Sequence, residues 1–177
     1  MDSFRNIGII TMDCNDVEIV KFNARAGADT ITVNDLTGTG VTQVNLDLSN
    51  QEGTGVGDNA ADTIIINGTT NSDVVNISGT PAGVSVVGLS AIVTIVGSEP
   101  TLDQLILQML AGDDAVTASD LLGGVIKLTV NGGPGADVLT GSAGDDSLFG
   151  DEDDDILLGG PGNDVLNGGP GNNVIQD

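Results

Sequence analysis

The sequence predicts an all-β chain built as a parallel β-solenoid (β-helix), and three observations carry that expectation. Five nine-residue blocks follow one another without a gap over residues 132–176. The residues before them read as short strands separated by clusters of Gly, Asn, Asp and Thr. Acidic residues outnumber basic ones 26 to 4, and 22 of the 26 are Asp. Asp is short and bonds to nearby backbone, so this bias points to turns rather than to charged helix faces.

Taken from the N-terminus, residues 7–10, 17–22, 30–34, 41–48, 63–67, 74–77, 84–87, 91–96 and 125–130 read as strands. Several alternate with period two, as in Val44-Asn45-Leu46-Asp47-Leu48. Residues 101–110 fit two periods. Leu102, Leu105, Ile106 and Met109 mark a helix face, whereas Leu105, Leu107 and Met109 mark a strand. The β-rich surroundings favour the strand.

The blocks read GGPGADVLT, GSAGDDSLF, GDEDDDILL, GGPGNDVLN and GGPGNNVIQ. Position one is always Gly. Position four is Gly except for Asp153. Position six is Asp137, Asp146, Asp155, Asp164 and Asn173, and position eight is Leu139, Leu148, Leu157, Leu166 and Ile175. Six residues of this kind form a turn with positive φ angles. Three remain for one short strand whose position-eight residue points inward. Two blocks make one coil of 18 residues, and coils stack at about 4.8 Å as two parallel sheets. Blocks one, three and five then turn on one side, blocks two and four on the other. Residues 27–31 and 112–116 echo positions four to eight, and residues 60–64 and 71–75 do so without the Gly. Residues 1–131 are therefore expected to be an irregular β-solenoid continuous with a regular part at 132–177.

A formal charge of −22 excludes tracking a nucleic-acid backbone and polybasic attachment to lipid. The chain has no His, Trp or Tyr. Acid–base catalysis is disfavoured, and so is zinc, with Cys14 the one cysteine. No apolar run approaches the roughly 18 residues of a membrane span. Residues 132–177 hold ten acidic residues and no basic one, so a bound cation is the simplest counter-charge.

The five blocks fit G-G-x-G-x-D-x-U-x, where U is a large apolar residue. This segment resembles the RTX family of hemolysin-type calcium-binding repeats. The resemblance implies a right-handed β-helix ending in a calcium β-roll. Calcium takes six to eight oxygens, more than one turn offers, so two stacked turns share each ion. The resemblance pairs Asp137 with Asp155, Asp155 with Asn173, and Asp146 with Asp164. It takes further ligands from the turns, at Gly133, Gly135, Gly144, Asp153, Gly160 and Gly162. Asp114, with Asp113, is the best upstream candidate, ahead of Asp29, Asp62 and Asp73. Block three departs from the pattern at Asp151, Glu152 and Asp153, and block five at Asn173. The Asp146–Asp164 pair is expected to be the most dependable site.

The function expected is a non-enzymatic calcium module of a secreted or cell-surface bacterial protein, with a scaffolding or adhesive role and calcium-dependent folding. Its partners are calcium ions, with parent-protein domains or surface-layer components as further possibilities. The enzymatic alternative is a module of a β-helical polysaccharide-modifying protein. Block five ends one residue before the last position, which leaves no room there for an extended export signal. Two readings fit: a piece of a longer protein, or another route to the surface.

Overall fold

Residues 17–177 are described by the structure, a computed structural model, and every regular element among them is a β-strand. In chain order these are β1 (Ile19–Asn23), β2 (Thr30–Val33), β3 (Gln43–Asp47), β4 (Thr63–Asn67) and β5 (Val74–Thr80). There follow β6 (Gly83–Val87), β7 (Ile92–Val96), β8 (Gln104–Gln108), β9 (Ala115–Leu121) and β10 (Lys127–Pro134). The repeat blocks supply β11 (Val138–Thr140), β12 (Asp146–Glu152), β13 (Ile156–Leu158), β14 (Val165–Asn167) and β15 (Val174–Gln176). The expected strand at 7–10 and Cys14 lie outside the described residues.

Two sheets face each other. One runs β1-β3-β7-β6-β5-β9-β11-β13-β15 and the other β14-β12-β10-β8-β4-β2. From β8 onward consecutive strands alternate between the sheets. Blocks one, three and five stack in register as Leu139, Leu157 and Ile175. Blocks two and four stack as Leu148 and Leu166. β10 crosses residue 131, so the sheet passes from the irregular part into the repeats without a break. Residues 101–110 hold β8, whose Leu105 and Leu107 are buried along with the following Met109. Period two was the correct one.

The core is the inner face of both sheets. Leu139, Leu148 and Leu157 are 0 % exposed, and burying each such side chain stabilises by about 1.5–3 kcal/mol. Ile175, expected inward, is 49 % exposed, because no strand stacks beyond β15 to cover it.

One expectation is corrected. β6 runs antiparallel to both β5 and β7, so the larger sheet is not wholly parallel. Only Pro81 and Ala82 separate β5 from β6. A parallel partner needs a crossover of a dozen residues or so, whereas a two-residue link permits only a hairpin. β9 was not read as a strand at all. It is parallel to β5 and β11 and buries Val116, Ala118 and Leu121.

Candidate metal centre

Each position-six residue sits where the turn enters the strand, and the Oδ1 of Asp137, Asp155, Asp164 and Asn173 accepts a backbone N–H from the preceding coil. The Asp137 N–H donates to Asp155 Oδ1 at 2.9 Å and the Asp155 N–H to Asn173 Oδ1 at 2.7 Å. On the opposite side the Asp146 N–H donates to Asp164 Oδ1 at 2.9 Å. The structure thus brings together the three expected pairs, each 18 residues apart.

The same bond continues upstream. The Asp114 N–H reaches Asp137 Oδ1 at 2.8 Å, and the Asp73 N–H reaches Asp114 Oδ1 at 2.7 Å. One column therefore runs Asp73, Asp114, Asp137, Asp155, Asn173. A second begins Asp29, Asp62, Asp103. It breaks before Asp146, because Leu128 is the register partner of both Leu105 and Asp146 and the coil slips by two residues there. Asp62 and Asp73 are near in sequence but belong to different columns.

Position one is Gly for a steric reason. A Cβ on Gly132 or Gly150 would overlap the Asp137 or Asp155 carboxylate of the same block. At Gly141 and Gly159 it would come within 2.8 Å of Asp146 Oδ2 and 2.5 Å of Asp164 Oδ2. The missing side chain is the cradle that holds the acid.

In the repeats and at Asp73, Asp103 and Asp114, the turns come in two states that follow φ at position two. Leu110, Gly133, Asp151 and Gly160 have φ of 76°, 100°, 75° and 93°. In those turns Asp114, Asp137, Asp155 and Asp164 each keep a buried Oδ2 with no partner. At Ser142, Thr69 and Glu99, where φ is not positive, the position-two N–H swings inward and caps the acid. Ser142 donates to Asp146 Oδ2 through its N–H at 2.5 Å and to Oδ1 through its hydroxyl at 2.9 Å. The N–H groups of Thr69 and Glu99 cap Asp73 and Asp103 in the same way, both at 2.7 Å. Openness therefore does not follow how regular a block is in sequence. Block three, irregular in sequence, keeps the open turn because Asp151 and Asp153 adopt positive φ. Block two, regular in sequence, is capped, and Gly144 is not among its positive-φ residues.

Leu110 is the costly case. A left-handed conformation strains a residue with a branched side chain by about 1–2 kcal/mol. It is held there by the turn stacked on Gly133, whose Cβ would meet the Leu110 carbonyl.

The open carboxylates are short of positive charge. Burial, opposed by the Asp114 N–H and reinforced by Asp114, Asp155 and Asp113, pushes the Asp137 carboxyl up to about 7. Burial raises Asp114, Asp146 and Asp155 as well, with neighbouring aspartates adding to it. Asp47 shows the contrary balance. Burial raises it, but bonds from Ser49 and Gly53 and the nearby Arg25 hold it below the ordinary value. In the repeats no basic residue does this.

A carboxyl raised from 3.8 holds its proton more tightly folded than unfolded. The stability this proton contributes is complete below pH 4 and lost as pH rises through about 7. The calcium-free protein is thus expected to melt higher at pH 5 than at pH 7.5, by roughly 5 °C or more. Thermal scans in chelator check this; a melting temperature flat or rising over that range would contradict it.

The donor set fits a hard cation. Free carboxylate oxygens stand beside turn carbonyls, with no nitrogen or sulfur ligand, and calcium selects oxygen. Carbonyls of Gly112, Gly144 and Asp153 face Gly135, Gly162 and Gly171 of the next coil on the same side, where a Cβ would collide. Among the described residues no group of three or more acidic, His or Cys side chains converges to hold a metal. Any site is therefore completed by backbone oxygens. Reading the sequence alone missed Asp103 and the Leu110 turn. The Asp-x-apolar spacing in Asp103-Gln104-Leu105 was a usable signal for the first, and nothing in Leu110 signals a glycine slot.

Among the described residues no helix is long and apolar enough to cross a membrane. No curated protein and no solved structure matches the chain. Residues 129–157 and 158–176 match the RTX calcium-binding nonapeptide repeat, in four copies. With glycine cradles, stacked position-six acids and an all-oxygen donor set in that same stretch, residues 129–176 are an array of RTX calcium-binding nonapeptide repeats, whose cation is calcium.

Proposed function

We propose that this protein is a non-enzymatic, extracellular calcium module. Its coils form a right-handed β-solenoid ending in a β-roll, and calcium locks its folding for a scaffolding or adhesive role. The observation that carries this reading is the set of unpartnered, buried carboxylate oxygens on Asp114, Asp137, Asp155 and Asp164. An isolated buried carboxylate is costly, and a shared cation between stacked turns removes that cost. In this reading Asp146 and Asn173 serve as paired oxygens, and Gly133, Gly135, Gly144, Asp153, Gly160 and Gly162 lend carbonyls. The chain stays loose where calcium is scarce and closes where it is abundant.

Calorimetric titration after chelation tests this. Calcium is expected to bind at ~10⁻⁴–10⁻³ M, the range of extracellular modules, and magnesium far more weakly because it wants a small octahedron. Asp164→Asn removes a free charged oxygen and should lower the calcium stoichiometry. Asn173→Ala removes a neutral one at the end of the column and should cost its site less. Equal heats for both metals, or a loss only in Asn173→Ala, would overturn the assignment.

A further inference from the structure

The turn at residues 57–62 lies in the second column, well before the matched repeats, and does not follow the nonapeptide pattern. Gly57 stands at position one, Asp58 at position two and Asp62 at position six. Asp62 is 1 % exposed. Its Oδ1 accepts the Asp29 N–H at 2.8 Å, which stacks this turn on residues 24–29, while its Oδ2 is buried and has no partner. Asp58 Oδ1 accepts the Ala60 N–H at 2.8 Å, and its Oδ2 is likewise buried without a partner. Asp58 is thus tied back over its own turn.

The other acids nearby are already engaged. Asp103 accepts the N–H groups of Asp62 and Glu99, and Glu99 Oε2 accepts the Asn59 N–H at 2.7 Å. Arg25 is paired with Glu52 at 3.0 Å. Asp58 and Asp62 therefore each keep one buried carboxylate oxygen without a partner, close enough for the Asp58 charge to act on Asp62.

We propose that Asp58 and Asp62 hold a divalent cation of the calcium type between the turns at residues 24–29 and 57–62, completed by backbone carbonyls and water.

The electrostatics support it. Burial is the first cause that raises Asp62, to about 6, and Asp103, Asp58 and Asp29 add to it. Burial also raises Asp29 and Asp103, and Asp58 adds to both, with Glu99 contributing more than Asp58 at Asp103. The turn is left-handed at Asn59, with φ 65°, as its neighbour is at Ala26, with φ 57°. The site differs from those in the repeats because its second carboxylate comes from position two of the same turn.

The inference rests on calcium binding by the repeats only for the choice of ion, and the experiment separates the two. Full-length protein and the Asp58→Asn and Asp62→Asn variants are stripped with chelator and titrated with calcium alone, with bound ions counted by native mass spectrometry. Asn preserves the Oδ1 acceptor, as Asn173 already does toward Asp155, so far-UV circular dichroism should not change. Each variant is expected to hold one calcium fewer than the parent, while Asp164→Asn loses a different ion and the losses add. Variants that keep the parental count overturn this site and leave the repeats untouched. A parent protein that binds no calcium overturns both. Should Asp62→Asn misfold, Asp58→Asn, on a half-buried residue, decides the question by itself.

Discussion

Chelating calcium from the full chain at neutral pH is expected to expose residues 132–177 to solvent exchange while β4, β5 and β8 stay protected. The last part of the molecule has the least to hold it. β11, β13, β14 and β15 have three residues each, whereas β5 and β9 have seven. Its ten acidic residues meet no basic one, and block three alone carries Asp151, Glu152, Asp153, Asp154 and Asp155. Without a cation, short strands must resist that repulsion, and the free oxygens of Asp137, Asp155 and Asp164 stay buried without partners. Amide exchange in β13–β15 should accelerate on the order of a hundredfold or more, the signature of sub-global opening. Hydrogen exchange with and without chelator measures it. Uniform protection in both conditions would refute the calcium lock.

Gly135→Ala should be among the most damaging single changes. Gly135 has φ 139°, which strains any residue with a Cβ, and the new atom would collide with the Gly112 carbonyl of the coil below. That coil also carries Asp114, so the clash pushes apart the two turns that the Asp114–Asp137 bond holds together. The expected cost is about 3–5 kcal/mol, at the exceptional end for one substitution. Gly124→Ala is the control. Gly124 also has a positive φ, 71°, yet its Cβ would meet nothing within 4 Å, so only the conformational term of about 1–2 kcal/mol remains. Denaturant unfolding in excess calcium compares them. Equal losses would mean that the stacked carbonyl is not the constraint.

Much of the candidate site was legible because its period is local. The position-six acids recur every nine residues, and stacking at 18 follows from counting alone; Asp137 and Asp155 needed no further information. Asp114 was legible through Gly112, whose φ of 127° marks the same slot as Gly135. Asp103 was not, because Glu99-Pro100-Thr101-Leu102 hides the turn. The capping of Asp146 was not legible either, for a physical reason. Ser142 looks like a harmless replacement for Gly at position two, but its N–H and hydroxyl both turn onto the carboxylate.

The sequence by itself determined the β character, the alternation of buried residues, the nine-residue register and the oxygen-rich chemistry. All of these depend on contacts within a few residues or on a strict repeat. Only the tertiary structure decided which coil lies beside which. The hairpin through Pro81 and Ala82 reverses β6, places β7 beside β3 and leaves β5 to receive β9. It also decided which acids are open. In the repeats and at Asp73, Asp103 and Asp114 a carboxylate keeps a free oxygen or loses it according to one backbone angle four residues earlier, and that angle is set at Leu110 and Asp151 by the coil stacked above, not by the residue's own preference.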